Sequence, residues 1–149
     1  MQTQLIQALL YSETKGKFMS QVIIYQNPTG TNVCVCVPTG ELHINEVLAK
    51  DAPAGAIIVD DSVLPQGDDA KFFDAWELAD GRVTVNLATA KEHKLAAYNA
   101  AAVQEAQKRQ LNTLAGLTNT PDDATWTAKL TADRAAITAA TTTTQLAAI

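Results

Sequence analysis

The chain has 149 residues, with 11 basic against 16 acidic side chains and a net charge of -5. An acidic balance speaks against a protein that grips nucleic-acid backbone, because that affinity comes from phosphates neutralised by a basic face. No uncharged apolar run approaches the roughly 20 residues of a membrane-spanning helix, so membrane insertion is not expected either.

Hydrophobic residues make up 47% of the chain but aromatic ones only 5%, so much of the apolar content is alanine and the expected core is modest. The length suits one domain, or a small domain with an appendage. Three segments are expected: 1–19 as an arm or extension, 20–87 as a β-rich domain, and 88–149 as a helical hairpin with a threonine-rich tail. The division rests on composition. Six of the seven glycines and four of the five prolines precede Ala88, and alanine and threonine dominate after it.

In the first segment Leu5, Ile6, Leu9 and Leu10 would share one helical face. A basic start and a small-residue cleavage site are lacking, so a signal peptide is not the reading. Two readings stand: an amphipathic arm that docks on a partner, or an extension upstream of a start at Met19.

Gln21 to Gln26 (QVIIYQ) is β-branched and aromatic, and Asn27-Pro-Thr-Gly30 is a turn signal. Thr31 to Val37 supplies a second strand, which makes a hairpin. Along it Cys34 and Cys36 point to one face and Val33, Val35 and Val37 to the other. A disulfide across such a pair would be badly strained, and His43 and His93 lack metal-ligand spacing, so the thiols read as small apolar core residues in a reducing compartment.

Ile44 to Lys50 has helical spacing, and Ala56 to Asp60 is a third short strand. Phe72 to Leu78 and Arg82 to Leu87 are expected to pair across Asp80-Gly81, the strongest hairpin signal in the chain.

From Ala88 to about Leu114 the pattern is helical. Leu95, Val103, Ala106 and Leu114 gather on one face, which is expected to be buried, while Lys94, Glu105, Lys108 and Arg109 lie opposite. Gly116 suits the left-handed stop after this helix. Thr120-Pro-Asp-Asp123 predicts the next start, with Thr120 as the cap and Pro121 at the first helical position. Trp126, Leu130, Ile137 and Ala140 make a stripe on the second helix, interrupted by Asp133, which either answers a cation or sits at a wet edge. Threonines 141–144 predict an extended or frayed end. The fold class expected is α+β: a small antiparallel β-rich domain with one short helix, then an antiparallel helical hairpin. An alanine-lined hairpin buries little area and expects a partner, and Leu95, Val103, Leu114, Trp126, Leu130 and Ile137 are its candidate interaction surface.

Little in the sequence recommends chemistry. Asp60-Asp61 and Asp68-Asp69 lack the order of a calcium loop. His43 with Glu46 reads as a helix entry, and Glu92-His93 has no second histidine at Ala97. Phosphate-cradling glycine loops and nucleophile elbows are missing from the sequence. Trp76 reads as a core centrepiece, with a binding role as the alternative. Catalytic, cofactor and metal sites are therefore expected to be none. A small enzyme acting on polysaccharide or a small molecule, near Trp76 and the Asp60–Asp69 acids, is the remote alternative.

The succession VIIYQNPTG, INEVLAKDAPAGAIIVDDSVLP, FFDAWEL, RVTVNLATAKEHK and DDATWTAKLTADRAAI resembles small proteins encoded among the tail and tail-fibre genes of tailed bacteriophages. The likeness runs over about residues 21–137. It implies a non-enzymatic protein acting through surfaces: a virion tail component or fibre-associated adaptor, assembled in the host cytoplasm and homo- or hetero-oligomeric with other tail or fibre proteins. The alternative it implies is a tail-fibre assembly chaperone that does not stay in the virion.

Overall fold

The computed structural model describes residues 20–30 and 32–149, so the amphipathic stretch at Leu5 to Leu10 lies outside the described residues. The fold is α+β: small antiparallel sheets with a short helix, followed by long helices packed together. The chain divides into two compact units, one running up to Asn86 and the other Leu87–Ile149.

The first unit is built on β1 (Gln21–Gln26), β2 (Val33–Cys36) and β3 (Ile57–Asp60), in the order β2-β1-β3. Both neighbours run antiparallel to β1, with Ile24 opposite Val35 on one side and Ile57 on the other. Strand alternation then sorts the residues. Val22, Ile24 and Val33 enter the main core with Leu64, Trp76 and Val83, and Val35, Ile57 and Val59 pack against it. The opposite face carries Ile23, fully buried, beside Cys36 and Ile58. Helix α1 (Ile44–Asp51) lies against β1 and β3. Burial raises the Cys36 thiol above its ordinary pKa, and the Asp51 carboxylate at the end of α1 adds to the rise.

His43 caps α1: its Nδ1 accepts the Asn45 N–H at 3.3 Å, and Glu46 Oε2 accepts the His43 N–H at 3.1 Å. The Glu46 bond back to the His43 N–H is the returning half of a capping box, and together such bonds satisfy the first orphan donors of a helix.

A second hairpin joins β4 (Trp76–Ala79) and β5 (Arg82–Val85). Its turn has Asp80 at φ 52° and Gly81 at φ 75°, the two left-handed residues that match the twist of the paired strands. The expected strand from Phe72 does not form. Asp69–Ala75 makes two 3-10 turns joined at Phe72, and pairing begins only at Trp76. The reason is local packing. The Trp76 indole Nε1–H donates to the Asp69 carbonyl at 3.1 Å, and the Phe73 ring packs on the indole with centroids 4.9 Å apart. A chain that turns back on Trp76 in this way cannot stay extended before it.

The second unit holds α2 (Leu87–Leu114), α3 (Asp123–Ala139) and α4 (Thr143–Ala147). Helix α2 ends in a Schellman motif: Leu117 N–H reaches Asn112 O at 2.8 Å and Gly116 N–H reaches Thr113 O at 3.1 Å, with Gly116 at φ 73°. The next start differs from the Thr120 and Pro121 expectation. Asp122 is the cap, accepting Thr125 N–H at 3.0 Å, and Pro121 lies before the helix after a cis peptide bond. An aspartate two residues beyond a threonine offers two carboxylate oxygens, and both are used, Oδ2 taking the Thr125 hydroxyl at 2.7 Å.

The threonine-rich end is not frayed. Thr142 caps α4 by accepting Gln145 N–H, the Thr141 N–H donates to the Gln145 side chain at 2.7 Å, and Leu146 is fully buried. Threonine disfavours helix interiors but serves well as a cap, and here capping decides.

Candidate interaction surface

Helices α2 and α3 meet through polar side chains. At one end Lys91 Nζ donates to the Thr138 carbonyl at 2.9 Å. Next, Tyr98 Oη donates to Asp133 Oδ2, which also pairs with Lys129, and Arg134 Nε donates to Asn99 Oδ1 at 2.8 Å. At the far end Arg109 is 5% exposed. Its Nη1 donates to Pro121 O and to Asp123 Oδ1, each at 2.9 Å, and its Nε faces Glu105 Oε1 at 3.2 Å as an ion pair. The guanidinium also lies over the Trp126 ring, 4.8 Å from its centroid. Asn119 adds bonds to Asn112, the Arg109 carbonyl and Asp123.

This ladder tunes its own ionisation. The Lys129 ammonium, and then the Tyr98 hydroxyl, hold the Asp133 carboxyl below the usual carboxylate range. The same bond to Asp133, with burial second, raises Tyr98. Asp133 therefore answers a cation on its own helix and a phenol from α2, and the interruption in the α3 stripe is a hydrogen-bonding position.

The face of α2 expected to be buried is turned the other way. Val103 is 57% exposed and Leu114 is 78% exposed, while Ala106 is also open and Leu95 is half-buried. Arg109, expected on the solvent side, is inside. On α3 Trp126 and Leu130 are half-buried and Ile137 is fully buried. The six candidate surface residues thus do not share one open face. Val103 and Leu114 lie outward, and Leu111 at 67% and Leu117 at 61% exposure join them towards the hairpin tip. Leu111 and Leu117 were not among the candidate surface residues, and single leucines near a helix stop carry no distinct signal in the sequence.

The outer side of α3 is a shallow groove lined by Ala124, Thr127, Ala128, Thr131, Ala132 and Ala135. Its threonine hydroxyls bond back to their own helix, Thr127 to Asp123 O at 2.7 Å and Thr131 to Thr127 O at 3.0 Å. Methyl groups are left facing out.

The acids of the first unit serve as local caps and ties. Asp60 Oδ1 accepts Ser62 N–H at 2.9 Å, and its hydrogen bonds to Ser62 hold its carboxyl low. Asp61 accepts the Ser20 hydroxyl at 2.9 Å, and Asp68 pairs with Lys71 at 2.7 Å. Among the described residues no three His, Cys, Asp or Glu gather as a metal site, and no helix is long and apolar enough to cross a membrane. No protein-family model, curated protein or solved structure matches this chain.

Proposed function

We propose that this chain is a non-enzymatic interaction protein of a tailed bacteriophage, a small tail component or fibre-associated adaptor that works through protein-protein contacts. The observation that carries the reading is the inverted helical unit, with charged side chains consumed between α2 and α3 while Val103, Leu111, Leu114 and Leu117 face outward. Four large apolar side chains exposed on one small helical unit support reading it as an association site. The likeness of the 21–137 sequence to tail and tail-fibre gene products supplies the setting.

The test is quantitative mass spectrometry of purified particles and of assembly intermediates from the phage that encodes the chain. A fixed stoichiometry in finished particles is expected. Presence in intermediates alone would replace the virion component with an assembly chaperone, and absence from both would overturn the reading.

A further inference from the structure

We propose that Cys34 and Cys36 together hold one soft monovalent cation of the Cu(I) class, bound in line between the two sulfurs. The inference goes beyond the interaction role and does not depend on the helical unit.

Both thiols are free and half-buried, neither sealed in the core nor fully open. They lie on β2, an outer strand of the sheet, and β1 fixes their register: Cys34 stands opposite Tyr25 and Cys36 opposite Ile23. Val33 and Val35 turn to the main core, so strand alternation puts both sulfurs on the other face. The Tyr25 phenol lies near both of them. Burial raises its pKa, both thiols add to the rise, and it hydrogen-bonds to the Cys34 side chain. The two sulfurs therefore border one spot on that face.

Distance decides what such a pair can do. Same-face neighbours on a strand have Cβ atoms about 6.7 Å apart, twice the rise per residue. A disulfide needs them about 3.8 Å apart, so the direct bond is out of reach while the strand stays paired. An ion between the sulfurs changes the span. Two metal–thiolate bonds of about 2.3 Å, set in line, hold the sulfurs about 4.6 Å apart, where a disulfide holds them at about 2.05 Å. The added reach of about 2.5 Å is close to what the strand spacing asks for.

The same geometry selects the ion. Thiolates favour soft ions such as Cu(I), whose filled d shell accepts two ligands in line. A tetrahedral ion such as zinc needs four ligands, and among the described residues no three His, Cys, Asp or Glu gather to hold one. Ile23, fully buried, and the half-buried Tyr25 ring keep the surroundings of the sulfurs apolar, which limits competition from water. Burial and the Asp51 carboxylate favour the protonated Cys36 thiol, so the ion takes the place of a proton. Two S–H bonds give way to two sulfur–metal bonds, two protons leave to solvent, and the ion keeps its oxidation state.

The experiment uses the full chain, with Ag(I) as a redox-inert probe of the same class and Cu(I) added without oxygen. Native mass spectrometry is expected to show one Ag(I) per chain, with both thiols protected together from a thiol reagent. Cys34→Ser and Cys36→Ser are each expected to weaken binding by about 100-fold, because the second, tethered ligand is lost. Ag(I) is expected to raise the thermal midpoint of wild type, since the folded strand presets the pair. X-ray absorption of the Cu(I)-loaded chain is expected to show two sulfur neighbours and no third ligand. Two ions per chain, an affinity that survives the loss of one cysteine, a wild-type midpoint lowered or unmoved by Ag(I), or a third ligand on Cu(I) would each overturn the proposal. The midpoint and the absorption spectrum are read on wild type, so the test holds even where a serine variant does not fold.

Discussion

The Arg109 guanidinium lies over the Trp126 indole, 4.8 Å from the ring centroid, and holds Asp123 Oδ1 at 2.9 Å from its Nη1. One side chain thereby ties the last turns of α2 to the first turn of α3 and, through Pro121 O, to the link between them. A guanidinium suits this position because it combines a planar face for stacking with several donors in one fork. Glu105 on one side and Asp123 on the other balance its charge, which allows it to be buried.

Arg109→Ala is therefore expected to destabilise the helical unit by about 2 kcal/mol, the scale of charged hydrogen bonds lost from a protected site. Arg109→Lys should recover only part of this, because an ammonium neither stacks nor reaches both acceptors. Urea unfolding followed by far-ultraviolet circular dichroism reads the difference, and equal stability of the alanine variant and wild type would remove the clamp from the account.

Asp133 and Tyr98 predict a dependence on pH at both extremes. The lowered Asp133 carboxyl contributes stability that is present above its unfolded pKa of about 3.9 and is lost as pH falls through the lower folded value. The raised Tyr98 hydroxyl contributes below its unfolded pKa of about 10, and that contribution is lost as pH rises through the folded value. Tyr98→Phe should shrink the alkaline limb, the raised Cys36 and Tyr25 groups keeping the rest, and leave a weaker acid limb, since Lys129 still pairs with Asp133. Thermal unfolding across the pH range checks this, and an alkaline limb undiminished in Tyr98→Phe would assign it wholly to the other groups.

Leu146 is fully buried on the five-residue helix α4, which lies against α2. Leu146→Ala is expected to cost about 2–5 kcal/mol, as other deletions of buried leucine atoms do. Faster hydrogen exchange over 141–149 should accompany it. A loss within about 0.5 kcal/mol, the scale of surface substitutions, would mean that the C-terminal helix contributes nothing to the unit.

Trp76 is 4% exposed and anchors the turn of Asp69–Ala75 through its indole N–H. Trp76→Phe keeps most of the ring but leaves the Asp69 carbonyl without that donor, with an expected cost of about 1–3 kcal/mol. Trp76→Ala should cost about 3–5 kcal/mol. Near-ultraviolet circular dichroism and denaturant midpoints separate the two, and a Trp76→Phe variant as stable as wild type would show that the hydrogen bond is immaterial.

Gly81 sits at φ 75° with the Ile57 side chain 3.6 Å from where a Cβ would stand. Gly81→Ala meets ordinary contact distance but a left-handed backbone, so a loss of about 1 kcal/mol is expected from conformation alone. Gly81→Asn, whose side chain tolerates that region, should lose less.

Much of the local structure was legible in the sequence because its causes are local. Alternation placed Val33 and Val35 on one face of β2 and the cysteines on the other, Asp80-Gly81 made its turn, and Gly116 stopped α2. The 3-10 turns before Trp76 were hidden, since the indole that bends them acts from up to seven residues away. Leu146 was hidden for a similar reason: the threonines around it are weak helix formers, and only their use as caps and a buried side chain make α4.

By itself the sequence determined most of the elements and their order, the turns of Asp69–Ala75 and helix α4 excepted, because propensity, turn chemistry and periodicity act within a few residues. Only the tertiary structure decided which side of α2 goes inward. Projection of one helix sorts apolar from charged positions and assigns the apolar side to the interior. That assignment fails where the neighbouring helix supplies a partner for each polar group. Asp123, Asp133 and Arg134 do so from 14 to 35 residues along the chain, for Arg109, Tyr98 and Asn99. Hydrogen bonds and ion pairs drew Arg109 inside and half-buried Tyr98 and Asn99, while Val103 and Leu114 were left to face outward.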